Sequence, residues 1–205
     1  MPNWCFTNIE IVSNNPQKNE YVYNLIEKWT SGESYIKNDF GSCWLGNIVG
    51  FSGIDKCTDK KDFSIPCRGQ LTYLELFKES IQIQTLTAWS PALKMWVMLI
   101  EKYYDKADDV KIIFTAEEGG MGLLCTNDPE LIDKYNVDIW DDCDNINKFL
   151  ECGEYTEKDI LEILTKMLSL PENCDIENAL ITFNRSDFRE NMSIIKYETA
   201  SVDDY

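Results

Sequence analysis

Between residues 91 and 104 the chain leaves a helix almost no polar side. Leu93, Met95, Trp96, Val97, Met98, Leu99, Ile100 and Tyr103 cover most of its circumference. A helix of that kind has to be surrounded by other elements. Its uninterrupted apolar run, Met95 to Ile100, is far short of the roughly 20 residues that cross a bilayer, so the surroundings are protein. Ile81-Gln82-Ile83-Gln84-Thr85-Leu86-Thr87 before it and Val110-Lys111-Ile112-Ile113-Phe114-Thr115 after it read as strands. Together they form a strand-helix-strand unit.

An earlier unit has the same grammar. Thr7, Ile9 and Ile11 alternate with Asn8 and Glu10, as in a half-buried strand. Asn15-Pro16 then caps a helix in which Tyr21, Val22, Leu25, Ile26 and Trp29 recur at helical spacing until Ser31-Gly32. Ser90-Pro91 repeats that cap-plus-proline start before the apolar helix. Residues 37–70 hold five of the ten glycines and three cysteines and read as an irregular, turn-rich insertion. Gly119-Gly120 suits a tight hairpin with a return strand over 121–125. Thr156 and Asp159 make a capping box for a helix whose apolar face is Ile160, Leu161, Ile163, Leu164, Met167 and Leu168, stopped by Pro171. Ala179 to Phe183 and Ile194 to Tyr197 read as late strands, and Ser201 to Tyr205 as a frayed tail.

The charge is lopsided. Of 205 residues 36 are acidic and 19 basic, a net charge of -17, yet residues 1–100 account for only -1 of it. With 44% hydrophobic residues the chain has enough apolar material for a core. A free-standing nucleic-acid binder should have the opposite sign. Histidine is absent, which removes Ser-His, Cys-His and His-metal chemistry. Eight cysteines without a Cys-x-x-Cys spacing read as free thiols rather than a zinc site. With no signal-peptide pattern at Met1-Pro2-Asn3-Trp4-Cys5, the expected setting is a cytoplasm.

Other motifs have plain readings. Glu117 and Glu118 are neighbours on a strand and point to opposite faces, so they do not form an acid-base pair. Gly119-Gly120-Met121-Gly122 lacks the spacing and the Lys-Ser/Thr of a phosphate loop. The oxygen-rich run Asp138 to Asn147 departs from the EF-hand rhythm. Trp4, Trp44, Trp89 and Trp96 read as core residues in preference to a stacking platform.

The blocks Met1-Pro2-Asn3-Trp4-Cys5, Cys67-Arg68-Gly69, Thr87-Ala88-Trp89-Ser90-Pro91 and Ala116-Glu117-Glu118-Gly119-Gly120-Met121-Gly122, followed by Thr126-Asn127-Asp128, resemble the YubB-like group of small phage and plasmid proteins. The resemblance implies a mobile-element origin, no established enzymatic activity, and a ferredoxin-like α+β domain. The expected fold class is therefore α+β: a ferredoxin-like split βαβ core over 1–127 with a Gly/Cys-rich insertion at about 32–80. An acidic α/β extension, 128–205, is expected to pack on that core.

The densest acid lies in 128–162. A folded surface of this kind can imitate the anion array of a duplex and steer toward a basic channel. The expected function is a non-enzymatic phage or prophage inhibitor of a host nucleic-acid-directed defence factor, acting in the bacterial cytoplasm. Its partner would be a basic nucleic-acid-binding protein, contacted through Asp138, Asp141, Asp142, Asp144, Glu151, Glu154 and Glu157. No cofactor, metal, membrane or direct nucleic-acid contact is expected. The alternatives are a metal-dependent hydrolase or nuclease built on Asp138 to Asp144, and a ferredoxin-like regulatory module that binds a small ligand or dimerises.

Overall fold

The computed structural model describes residues 3–32, 35–55, 63–120, 122–140, 146 and 148–205. The chain divides into two compact units, Met1–Asp128 with Ala200–Tyr205, and Pro129–Thr199.

In the first unit the order is β1 (Trp4–Val12), α1 (Pro16–Thr30), α2 (Leu45–Ser52), β2 (Gly69–Leu76), β3 (Ser80–Ala88), α3 (Leu93–Tyr103), β4 (Lys111–Glu118) and β5 (Leu123–Thr126). The strands lie in the order β2-β3-β1-β4-β5, each antiparallel to its neighbour. Alternation on β1 turns Cys5, Thr7, Ile9 and Ile11 inward and leaves Trp4, Phe6, Asn8 and Glu10 on the opposite face. Ile81, Ile83 and Phe114 join the inner face and pack with Val22, Ile26 and Trp29 of α1 and Leu45, Ile48 and Val49 of α2. As its composition demands, α3 buries Leu93, Met95, Trp96 and Leu99.

Asn15 caps α1 by accepting the Lys18 N–H at 3.2 Å, with Pro16 in the first turn. The matching expectation at Ser90-Pro91 fails. Trp89 takes a left-handed backbone, φ 75, Ser90 and Pro91 complete the turn, and α3 begins only after Ala92, with no side-chain cap. The insertion expected at 32–80 is also more ordered than its composition suggests, since it contributes α2 and the strand β2. The reason lies in two glycines four residues apart on α2. A Cβ on Gly46 would lie 2.3 Å from the Trp44 ring, and one on Gly50 would lie 2.5 Å from Ile36. They are contact points for large side chains, and composition alone makes them look like turn residues.

The second unit has a three-stranded sheet in the order β7-β6-β8, from β6 (Tyr135–Ile139), β7 (Gly153–Tyr155) and β8 (Met192–Lys196). Its helices are α4 (Glu157–Leu168) and α5 (Ile176–Phe183). The capping box of α4 is reciprocal, with Thr156 and Asp159 each bonding the other's backbone N–H. Residues 179–183, expected as a strand, belong to α5. Asp175 caps that helix, accepting the Asn178 N–H at 2.8 Å, and buries Ala179 and Phe183 on one side. Tyr135, Val137, Ile160, Leu164 and Met192 complete this core.

The second unit closes with the short β9 (Glu198–Thr199), after which the chain re-enters the first unit at Ala200. The expected frayed tail is ordered. Ala200 donates its N–H to the Thr126 carbonyl at 3.0 Å, and the Tyr205 backbone oxygen accepts the Lys94 N–H at 3.3 Å. The Tyr205 ring meets Phe114 edge-on at 6.4 Å. Val202 and Tyr205 pack against the core of the first unit. Among the described residues no helix is long and apolar enough to cross a membrane.

Candidate functional site

The described carboxylates among those singled out in sequence fall on both faces of the second unit's sheet. Asn136 of β6 lies opposite Glu154 of β7. Asp138, two residues along, therefore shares with Glu154 the outer face of this sheet, away from buried Tyr135 and Val137. Asn136 donates to Asp138 Oδ2 at 2.8 Å. Glu151 stands just before β7, its backbone pinned by the Tyr155 hydroxyl, which accepts its N–H at 3.1 Å and donates to its carbonyl at 3.0 Å. Glu157 is on the helix side, at the start of α4, with Oε2 3.5 Å from the Tyr135 hydroxyl. Asp141, Asp142 and Asp144, and with them most of the candidate cation site, lie outside the described residues.

Local cations offset some of the acid. Lys166 pairs with Glu162 at 2.7 Å and Lys196 with Asp133 at 3.4 Å. Hydrogen bonds from Thr156 hold Asp159 below its ordinary value, and the Lys166 ammonium does the same for Glu162. Among the described residues, Asp138, Glu151, Glu154 and Glu157 form no ion pair. Nor, among those residues, does any group of three or more His, Cys, Asp or Glu side chains come together to hold a metal.

Nucleophile and acid-base chemistry find little in the first unit. Glu117 is exposed while Glu118 is 1% exposed, its Oε1 accepting the Gly120 N–H at 2.9 Å, so the two do face opposite ways. Burial pushes the Cys5 and Cys67 thiols up to about 11, which leaves almost no thiolate at neutral pH.

A second constellation forms at one end of the first sheet, where sequence reasoning expected core. Trp96 is fully buried, but Trp4 is 40% and Trp89 48% exposed. Trp4 lies opposite Ala88. The Ala88 N–H reaches the Arg68 carbonyl at 2.9 Å and the Trp89 N–H reaches Asn3 at 2.8 Å. The start of β1, the end of β3 and the approach to β2 thus converge. A positive φ is rare for a bulky aromatic residue, and such strain concentrates at functional sites.

Beside this end, the Trp4 ring meets Phe40 edge-on at 6.2 Å. Phe40 in turn lines a cleft of about 530 Å³ with Lys37, Trp44, Phe63, Cys67 and Arg68. Trp44 is held against the sheet edge by a bridge to Gln70 and by the Leu71 N–H, which donates to the Cys43 carbonyl at 2.8 Å. Its ring lies 5.9 Å from Phe63, and its indole N–H is buried with no hydrogen-bond partner among the described residues. Two cations beside three rings, in a half of the chain with little net charge, were the available signal, hidden because the rings come from well-separated positions.

No protein-family model, curated protein or solved structure matches the chain. Its chemistry has to be argued from its own geometry.

Proposed function

We propose that this is a binding protein of phage or prophage type. It docks a basic partner on the carboxylates of its second unit and occupies the surface that partner uses for nucleic acid, as an anti-CRISPR-like or nuclease inhibitor would. The observation that carries the reading is the outer face shared by Asp138 and Glu154, with exposed Glu151 on the loop leading into β7. These acids keep their charge unpaired among the described residues. Residues 129–199 contain 17 acidic and 7 basic side chains, so the surplus is large enough to steer a cationic protein. The ferredoxin-like reading of the first unit draws support from its strand order, β2-β3-β1-β4, with helices between β1 and β2 and between β3 and β4.

The test is capture of partners from a bacterial lysate at low and high salt, with the full chain and with the triple variant D138K/E151K/E154K. Electrostatic docking requires a basic protein that is retained at low salt, released at high salt, and lost with the variant. Equal capture by the variant, at matched folding by circular dichroism, refutes the proposal.

A further inference from the structure

The cleft at the end of the first sheet has the opposite chemistry to the carboxylate surface and does not depend on it. We infer that it binds a nucleoside monophosphate. The base packs against the rings of Trp44 and Phe63, and the phosphate lies toward Lys37 and Arg68.

Size and lining fit that ligand class. A volume of about 530 Å³ lies in the range of small-molecule sites, which combine apolar and aromatic walls with a few polar groups. The rings are supported from behind. Phe40 is braced by Trp4, the Trp44 ring lies over Gly46, and Phe63 approaches the space beside Gly50 that a methyl would fill, 3.1 Å from a Cβ there. Aromatic rings held in this way present surfaces on which any base can stack.

The cations decide between an aromatic ligand and an aromatic anion. Neither Lys37 nor Arg68 forms an ion pair among the described residues, although the chain has 36 acidic side chains to choose from. The planar guanidinium of Arg68 offers the paired donors that suit a phosphate. Asp39 lines the same cleft. Its carboxylate repels the phosphate from its own edge and accepts hydrogen bonds from ribose hydroxyls or an exocyclic amine.

The charge of the whole chain then selects a mononucleotide over a strand. A net charge of -17 repels a polyanion along its length, whereas a single phosphate meets only the local field of Lys37 and Arg68.

The experiment is calorimetric titration of the full chain with AMP, GMP, CMP and UMP, with adenosine and a 5′-phosphorylated tetranucleotide as further arms. Saturable one-to-one binding of at least one monophosphate is expected. Adenosine should bind about tenfold or more weakly than AMP, because it lacks the charge-assisted bonds. R68Q and K37Q should each weaken the monophosphate by about tenfold at unchanged melting temperature. F63L should weaken adenosine and AMP alike. Absence of saturable heat at millimolar monophosphate, equal affinity for adenosine and AMP, or unaltered binding by R68Q and K37Q would each overturn the inference. Tighter binding of the tetranucleotide than of any monophosphate would overturn the mononucleotide assignment in favour of a strand-binding groove.

Discussion

Replacing Gly46 by alanine sets two physical effects against each other on one residue. Helix propensity alone favours alanine over glycine, by at most about 1 kcal/mol at Gly46 in the first turn of α2. The packing opposes it. The new methyl would lie 2.3, 2.5 and 2.5 Å from three atoms of the Trp44 ring, distances no carbon contact sustains. The ring has Phe63 beside it, and the backbone that carries it is fixed by the bridge to Gln70. Forcing extra volume into such a site costs about 1–3 kcal/mol, so G46A is expected to lose about 1 kcal/mol net. W44L removes the obstacle, and on that background G46A should gain up to about 1 kcal/mol. The coupling between the two positions is then about 2 kcal/mol. Urea unfolding followed by far-UV circular dichroism measures all four proteins, with the two units fitted as separate transitions. If G46A stabilises the otherwise unaltered chain, or shifts both backgrounds equally, the account of α2 as the floor beneath Trp44 fails.

Two further outcomes follow from the titrating groups. Burial raises the Cys5 and Cys67 thiols, whereas Cys43 and Cys152 are exposed. Residue-by-residue mapping of iodoacetamide labelling by mass spectrometry should therefore find the latter pair modified in the native protein and the former only after unfolding. Labelling of Cys5 or Cys67 without denaturant contradicts the packing. Asp108 accepts hydrogen bonds from the Asn15 amide and the Asp105 N–H, both at 2.7 Å, and these hold its carboxyl below the ordinary 3.8. A lowered folded-state value stabilises the fold above pH 3.8, and that stability disappears as the pH falls through the folded value. D108N should thus be destabilised at neutral pH, with the gap to the parent closing on acidification; a gap that stays constant through the acid limb refutes the role.

Most of the first unit was legible in the sequence because its signals are local and periodic. Alternation at Thr7, Ile9 and Ile11, the cap at Asn15-Pro16 and the apolar α3 each specify an element without outside help. The failures arise where a contact that periodicity and composition do not reveal decides, sometimes a distant neighbour and sometimes a local cap. Gly46 and Gly50 look like turn residues until Trp44, Ile36 and Phe63 arrive beside them. Ala179 to Phe183 has the β-branched, aromatic look of a strand, yet Ile176, Ala179, Leu180 and Phe183 also fit one side of a helix, and the Asp175 cap tips the balance. Tyr205 looks like an end until Phe114 is placed against it. For the carboxylates, sequence located the acid but not its sidedness, because strand pairing alone separates Asp138 and Glu154 from Glu157. The aromatic cleft was hidden for the same reason: Phe40, Trp44 and Phe63 meet only after the chain has folded around α2.

Ala200 donates its backbone N–H to the Thr126 carbonyl at 3.0 Å, yet all of 129–199 is spliced between them. The first unit is therefore interrupted in sequence after Asp128 and resumes at Ala200, bonded to Thr126. Closing so small a gap costs a chain little entropy, so a short glycine-serine link in place of 129–199 should leave strands β1 to β5 in register. A lineage could exchange the inserted unit at that junction without rewriting the host.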